Sequence, residues 1–274
     1  MKFTFLNSPK LWKDSIATGF AILAVIETVL AISLISFECL WGHLNWLTRI
    51  LLIFGFFTLI VVVVFTLKYL ISKRGISISI RGMTIQIKQG DIFKQNGWKV
   101  IAFNEFFDTI VDDIIIAHNT LNGIFIDKYV ENLDNLQSCI QNEPEHPTLR
   151  KRSKNKKKIH PLGRIILYKD YMLLAFTHFI NNEARLTQKD YEDCLRIMWT
   201  EISRTYANKP IFIPLLGSGI TRFDGTPHKS KADLLKCMIC TLRTSGVNIN
   251  QPITILLTKE AIEEINIYEI KGVK

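Results

Sequence analysis

Two unbroken apolar runs open the chain, and shorter patterns of a different period follow them. Ser15–Phe37 spans about 23 residues with one charge, Glu27; Ile50–Ile71 spans about 22 residues, and its only charge, Lys68, lies near the end. As a helix rising about 1.5 Å per residue, each is long enough to cross a hydrocarbon core of roughly 30 Å. A signal sequence is the other reading of the first run. That stretch is too long for one and a second span follows, so residues 1–74 are predicted to be a retained transmembrane hairpin with spans at 15–37 and 50–71. Trp41, His43 and Trp46 in the connector suit a membrane–water interface. Lys2, Lys10 and Lys13 precede the first span and Lys68, Lys73 and Arg74 close the second, against Arg49 alone in the connector. The positive-inside tendency therefore predicts a multi-pass protein with both termini cytoplasmic. Ala17, Ala21, Ala24, Thr28 and Ala31 recur at spacings of four and three, which puts small residues on one helical face, with Glu27 beside them. Two readings of Glu27 stay open: protonated and buried within the hairpin, or lining a polar interior where several hairpins self-associate through Ala24, Thr28 and Ala31.

From residue 75 onward the period shortens. Ile76–Ile80 and Thr84–Lys88 alternate apolar and polar around Arg81-Gly82, which predicts a β-hairpin. Val100–Phe103, Arg164–Tyr168, Tyr171–Thr177, Ile211–Ile213 and Ile253–Leu257 read as strands, and Ile265–Ile270 as an edge strand. Helical periods cover Asp127–Gln141, Thr187–Tyr206 with Thr187 as N-cap, Lys229–Thr244, and a short piece from Lys259. Strands alternating with helices predict an α/β domain over 75–274, a mostly parallel or mixed sheet covered on both faces.

Composition sharpens this only locally. At 274 residues and net charge +9, the excess is nearly all supplied by Arg150–Lys158, inside a polar insertion at about 142–160. That tract is either a solvated loop or an attraction for anionic lipid headgroups. No aromatic residues interleave its charges, so nucleic acid is not the expected partner. Cys39, Cys139, Cys194, Cys237 and Cys240 are odd in number and scattered, which fits a reducing compartment. The lone Cys237-Met-Ile-Cys240 has no second pair, and neither a metal nor a cofactor is expected. His118, His178 and His228 read as structural residues, and the chain holds no HExxH or GxSxG motif.

The most suggestive chemistry lies at Ile211–Gly225. An apolar strand is stopped by Pro214, turns through Gly217-Ser218-Gly219, and leads to a helical segment. In that layout backbone N–H groups can hold a phosphate; an ordinary β-to-α turn is the competing reading. Arg222 stands where a dinucleotide fingerprint needs glycine, and no G-K-[ST] is present. Taken in order, Gly90-Asp91-Ile92, the strand ending at Asn104 and the Gly217–Ile220 loop resemble a macro domain. More narrowly, Phe103–Thr109, Leu174–Thr177 and Pro214–Phe223 resemble the macro domain of the Thoeris anti-phage ThsA family, in its form with two N-terminal transmembrane helices.

This resemblance implies a three-layer α/β/α sandwich that binds ADP-ribose-type ligands. It implies a defence effector of the cell inner membrane, not an enzyme. A partner TIR-domain protein makes the signal, histidine–ADP-ribose in this form; binding triggers oligomerisation, membrane disruption and cell death. By the same resemblance Asp91 and Ile92 meet the adenine, and Asn104 meets the distal ribose. Gly217, Ser218, Gly219 and Ile220 wrap the diphosphate, with Thr221 and Arg222 beside it and Leu216 also expected to touch the ligand. Glu105-Phe106-Phe107-Asp108-Thr109 stands where hydrolytic macro domains carry a second asparagine and a glycine run. Glu105 and Asp108 are therefore expected to meet the histidyl group, with Phe107 and Thr109 also expected to touch the ligand, and Asp108→Ala should weaken that conjugate more than plain ADP-ribose. Two alternatives are a membrane-tethered ADP-ribosyl hydrolase with Glu105, Asp108 or Asp112 as base, and an anchor for ADP-ribosylated partners.

Overall fold

The computed structural model describes residues 8–32, 43–143, 158–225 and 229–270, in two compact units. Expectations for residues 33–37 of the first span, for Trp41, for most of the basic insertion and for His228 lie outside the described residues.

One unit contains helices α1 (Pro9–Ile32) and α2 (Trp46–Lys73), together with the chain after Asn266. Both helices are long and apolar enough to cross a membrane, and only 11% of each apolar window is covered by protein. A core helix of a water-soluble domain would be mostly covered, and these two are not. Trp12 stacks against Phe65 at 4.4 Å and Phe20 against Phe57 at 4.6 Å, so the two helices run antiparallel. Their seam is Leu11, Ser15 and Gly19; a Cβ on Gly19 would sit 2.9 Å from Val61 Cγ2. The small-residue stripe faces the other way: Ala17, Ala21, Ala24, Glu27, Thr28 and Ala31 are all exposed, so Glu27 is not buried within the hairpin. At the open end of the pair, Lys68 Nζ donates to Asp14 O and Thr18 Oγ1, each at 2.7 Å. The segment expected as an edge strand is instead a single helical turn, α8 (Ile267–Ile270). Tyr268 packs with Leu11 and Phe65, and its hydroxyl donates to Asp14 Oδ2 at 2.7 Å. That packing outweighs the alternation that suggested a strand.

The second unit, Ser77–Ile265, is a mixed sheet between helical layers. Its strands are β1 (Ile76–Ile80), β2 (Met83–Gln89), β3 (Trp98–Asn104), β4 (Ile165–Tyr168), β5 (Tyr171–Ile180), β6 (Glu183–Thr187), β7 (Ile211–Pro214), β8 (Arg222–Asp224) and β9 (Ile253–Leu257). They run in the order β1-β2-β9-β7-β3-β5-β6-β8, with β4 paired to β5. The β2, β9, β7, β3 and β5 neighbours are parallel; β4 and β6 are antiparallel to β5. Helices α3 (Leu121–Tyr129) and α4 (Leu133–Gln141) cover one face, packing Phe125, Leu136 and Ile140 on Ile101, Phe103 and Leu173. The other face is covered by α5 (Gln188–Thr205) and α6 (Lys231–Thr244), joined by Trp199 Nε1 donating to Thr241 Oγ1 at 3.2 Å. A short α7 (Lys259–Glu264) follows β9.

The single helix expected over 127–141 is two. Asn132 caps α4 by accepting from Asn135 N at 3.1 Å, and a side chain that starts a helix there ends the previous one. The α5 cap is as expected: Thr187 accepts from Asp190 N, and Asp190 returns the bond in a capping box.

Candidate functional site

A cavity of about 800 Å³ opens where the parallel strands end. Ala102–Asn104 of β3, Phe176–Thr177 of β5, Pro214–Leu216 at the end of β7, and Leu256 and Thr258 at the end of β9 all reach its wall at the strands' carboxyl ends. This is the end of an α/β sheet where ligands bind, because strand-to-helix turns diverge there and leave a crevice.

One side of the cavity is the turn Leu215–Thr221. Leu215 N donates to Leu256 O at 3.2 Å, and Ser218 Oγ folds back on Leu215 O at 2.6 Å, which fixes the turn from within. Gly217 has φ +82°, a backbone state that glycine alone adopts cheaply, and an added Cβ would press Phe223 Cζ at 3.2 Å. Gly219 and Ile220 are exposed, and no Cβ clash is met at Gly219. Among the described residues nothing accepts from the N–H groups of Gly217, Gly219 and Ile220. The turn therefore brings to the cavity three backbone donors with no acceptor among the described residues, the kind of group that can hold an anion.

The opposite side starts at Asn104. Its Oδ1 accepts from Phe106 N (3.0 Å) and Asp108 N (3.2 Å), and its Nδ2 donates to Asp108 Oδ2 at 2.9 Å. This knot folds the chain over after β3, and the chain next reaches the cavity at Asp113–Ala117, Asn119–Asn122 and Ile124. Of Glu105, Phe107, Asp108 and Thr109, all expected to meet the ligand, none lines the cavity. Glu105 Oε2 accepts from His178 Nδ1 at 2.7 Å, and that bond raises the pKa of the imidazole. Phe107 is 2% exposed in the core, Asp108 is buried on Asn104, and Thr109 accepts from Gln137 Nε2 at 3.0 Å. Asp112, the remaining carboxylate considered as a base, accepts from Ile114 and Ile115 N, which lowers its pKa.

The other expected residues separate as follows. Leu216, Gly217, Ser218, Gly219, Ile220 and Thr221 line the cavity with Asn104. Asp91 caps a short 3₁₀ turn, Ile92–Lys94, accepting from Phe93 N at 3.0 Å, and Ile92 is buried. Neither Asp91 nor Ile92 is part of the lining; their turn is tied to the end of β9, where Gly90 N donates to Leu257 O at 3.2 Å. Arg222 pairs with Glu183 at 2.7 Å and is not part of the lining. Unanticipated wall residues include Asn119, Asn122, Asn182, Asp113, Glu260 and Lys231. They come from loops and a helix start, where side-chain pattern carries no signal before the chain is folded. Among the described residues no cluster of His, Cys, Asp or Glu could hold a metal ion. Burial raises the thiol pKa of Cys194, and that of Cys237 to about 11.

A family model described as the macro domain of Thoeris protein ThsA matches residues 85–258. Thoeris protein ThsA of Bacillus amyloliquefaciens (strain Y2) is 36% identical over 233 residues, 81% of this chain and 78% of that one. Two Oceanobacillus iheyensis macrodomain structures each align over 72% of this chain. A mutant with ADPR gives TM-score 0.45, 15% identity and 96% of its own length; the domain with ADP gives 0.44, 15% and 94%.

Proposed function

The chain belongs to the Thoeris ThsA macro-domain family, and on that premise we propose that it is an anti-phage defence effector whose macro domain senses an ADP-ribose-type signal and whose helix pair then breaches the membrane. The observation that carries this reading is the cavity at the strand ends, lined in part by the amides of Gly217, Gly219 and Ile220, which have no acceptor among the described residues. Its volume lies within the roughly 300–1,000 Å³ of small-molecule sites. Asn104 and Thr177 serve the ribose distal to the adenine, and the glycine turn serves the diphosphate. The Asp91 turn, bonded to Leu257, serves the adenine end. The signal is histidine–ADP-ribose or a close relative, supplied by a partner TIR-domain protein. Residues 75–274 face the cytoplasm and both termini lie there, beneath an inner membrane crossed by α1 and α2.

Occupancy acts by population shift: the signal must bind an assembled or open state better than the resting one. Coupling of about 1–3 kcal/mol per site is typical, and association of several hairpins adds these terms. Self-association through the exposed Ala24, Thr28 and Ala31 face, with Glu27 beside it, fits that requirement. Catalysis is not part of the reading, because Glu105, Asp108 and Asp112 are each occupied by groups of the protein itself.

The test uses the full chain in lipid nanodiscs and in dye-loaded liposomes, titrated with ADP-ribose and its histidine conjugate. Binding with ligand recovered intact, followed by ligand-dependent dye release, is expected. Ligand recovered cleaved would replace this reading with the tethered hydrolase. Binding without release would replace it with an anchor for ADP-ribosylated partners.

A further inference from the structure

Within the proposed site an anionic diphosphate meets the backbone amides of the glycine turn, yet the wall carries, among the described residues, two carboxylates, Asp113 and Glu260, and a single cation, Lys231. Lys231 is the first residue of α6, and the packing of that helix places it beside the glycine turn. Leu234, one turn on, would touch a Cβ added at Gly217 at 3.4 Å. The hydroxyl of buried Tyr191 donates to Leu216 O at 3.1 Å and Leu234 O at 3.4 Å, tying the turn to the helix start. Arg222, the cation nearest the turn in sequence, is held by Glu183 instead.

Lys231 is not idle: its Nζ lies 2.8 Å from Glu264 Oε2, at the end of α7. The lysine side chain is 26% exposed and the glutamate 53%. A part-exposed pair of this kind is weakly held, because solvent screens it and two long side chains must be ordered to make it. A diphosphate carries more charge, and the neighbouring amides already orient it, so it is the stronger acceptor for the same ammonium.

We propose that the ligand takes Lys231 from Glu264: the ion pair holds the ammonium in reserve, ligand and glutamate compete for it, and Glu264 therefore sets the affinity of the site for anionic ligands. This rests on the reading of the cavity as an ADP-ribose site and names the cation that reading lacked. Occupancy also leaves an unpaired carboxylate on the last residue of α7, from which only Ile265 and Asn266 lead into α8.

The competition fixes the sign of three variants, measured by calorimetry on the full chain in nanodiscs with ADP-ribose and its histidine conjugate. Lys231→Gln should weaken binding about tenfold, the loss of one charge-assisted contact. Glu264→Gln should tighten it several-fold, and the double variant should match Lys231→Gln, since glutamate has no effect once the lysine is gone. A purely structural pair gives a different pattern, with Glu264→Gln weakening binding or leaving it unchanged, and that result overturns the inference. If wild-type protein binds neither compound, the ADP-ribose reading itself falls and the inference with it. If wild type binds and Lys231→Gln binds within twofold of it, only the inference falls. Both side chains are partly exposed, and thermal melting of each variant verifies that it is folded.

Discussion

Glu105 holds His178 through a 2.7 Å bond, and with the charge of Asp190 this keeps the imidazole protonated to higher pH than usual. A raised folded-state pKa gives stability that is complete below about 6.5 and fades as pH climbs through the raised value. His178→Gln should therefore cost most at pH 6 and least at pH 8–9. With the pair part-exposed, the difference is at most about 1 kcal/mol, or roughly 2–4 °C in melting temperature. His160 behaves oppositely. It is 3% exposed with its ring edge-on to Phe107, and burial drops its pKa to about 4. The unfolded chain takes up a proton near pH 6.5 that the folded protein refuses, so stability falls between about 6.5 and 4. A His160→Phe variant should lose that acid limb in melting curves taken across the interval.

Elements bring these residues together, and two glycines show how closely. At Gly217 (φ +82°) alanine would be strained by about 1 kcal/mol or more and would push Phe223. Gly217→Ala should weaken ADP-ribose binding in titrations while melting changes by only a few degrees. In the helix pair, Gly19→Ile would force a side chain into Val61 and Phe57 and cost about 1–3 kcal/mol of packing. A cysteine pair replacing Phe20 and Phe57, whose rings meet at 4.6 Å between centroids, should be bridged by a short bifunctional thiol crosslinker, and far less with Gly19→Ile present. Equal crosslinking would mean that Gly19 does not set the helix seam. The same scale separates what the sequence made legible from what it did not. Spans, parallel strands and the glycine turn declare themselves through run length, β-branched content and φ-positive punctuation, so they could be read directly. The α3–α4 break turns on one asparagine. The β8 strand, Arg222-Phe-Asp, is polar and three residues long; only its pairing with Arg185–Thr187 makes it a strand. Glu105 and Asp108 looked available for a ligand because sequence does not reveal that His178 and Asn104 claim them. Lys231 went unnoticed for the converse reason, since a lysine opening a helix looks solvated until the fold turns it onto a cavity.

At the scale of the molecule, the last described helix belongs with the first. Tyr268 is 8% exposed, packs on Leu11 and Phe65, and has its hydroxyl pKa raised to about 12 by burial and by Asp14. Phenol and carboxylate thus keep their hydrogen bond throughout the physiological range. Tyr268→Phe should remove it at a cost of about 1.5–3 kcal/mol to the packing of α8 on the helix pair, visible as faster amide exchange over 267–270. Asp14 and Tyr268 are 254 residues apart in the chain. At roughly 5–20 residues per second, a ribosome takes about 13–50 s to cover that distance. A helix pair made early in synthesis therefore waits those seconds for its last fastener, and until Tyr268 arrives its open end is held only by Trp12 against Phe65 and by the bonds from Lys68 to Asp14 and Thr18.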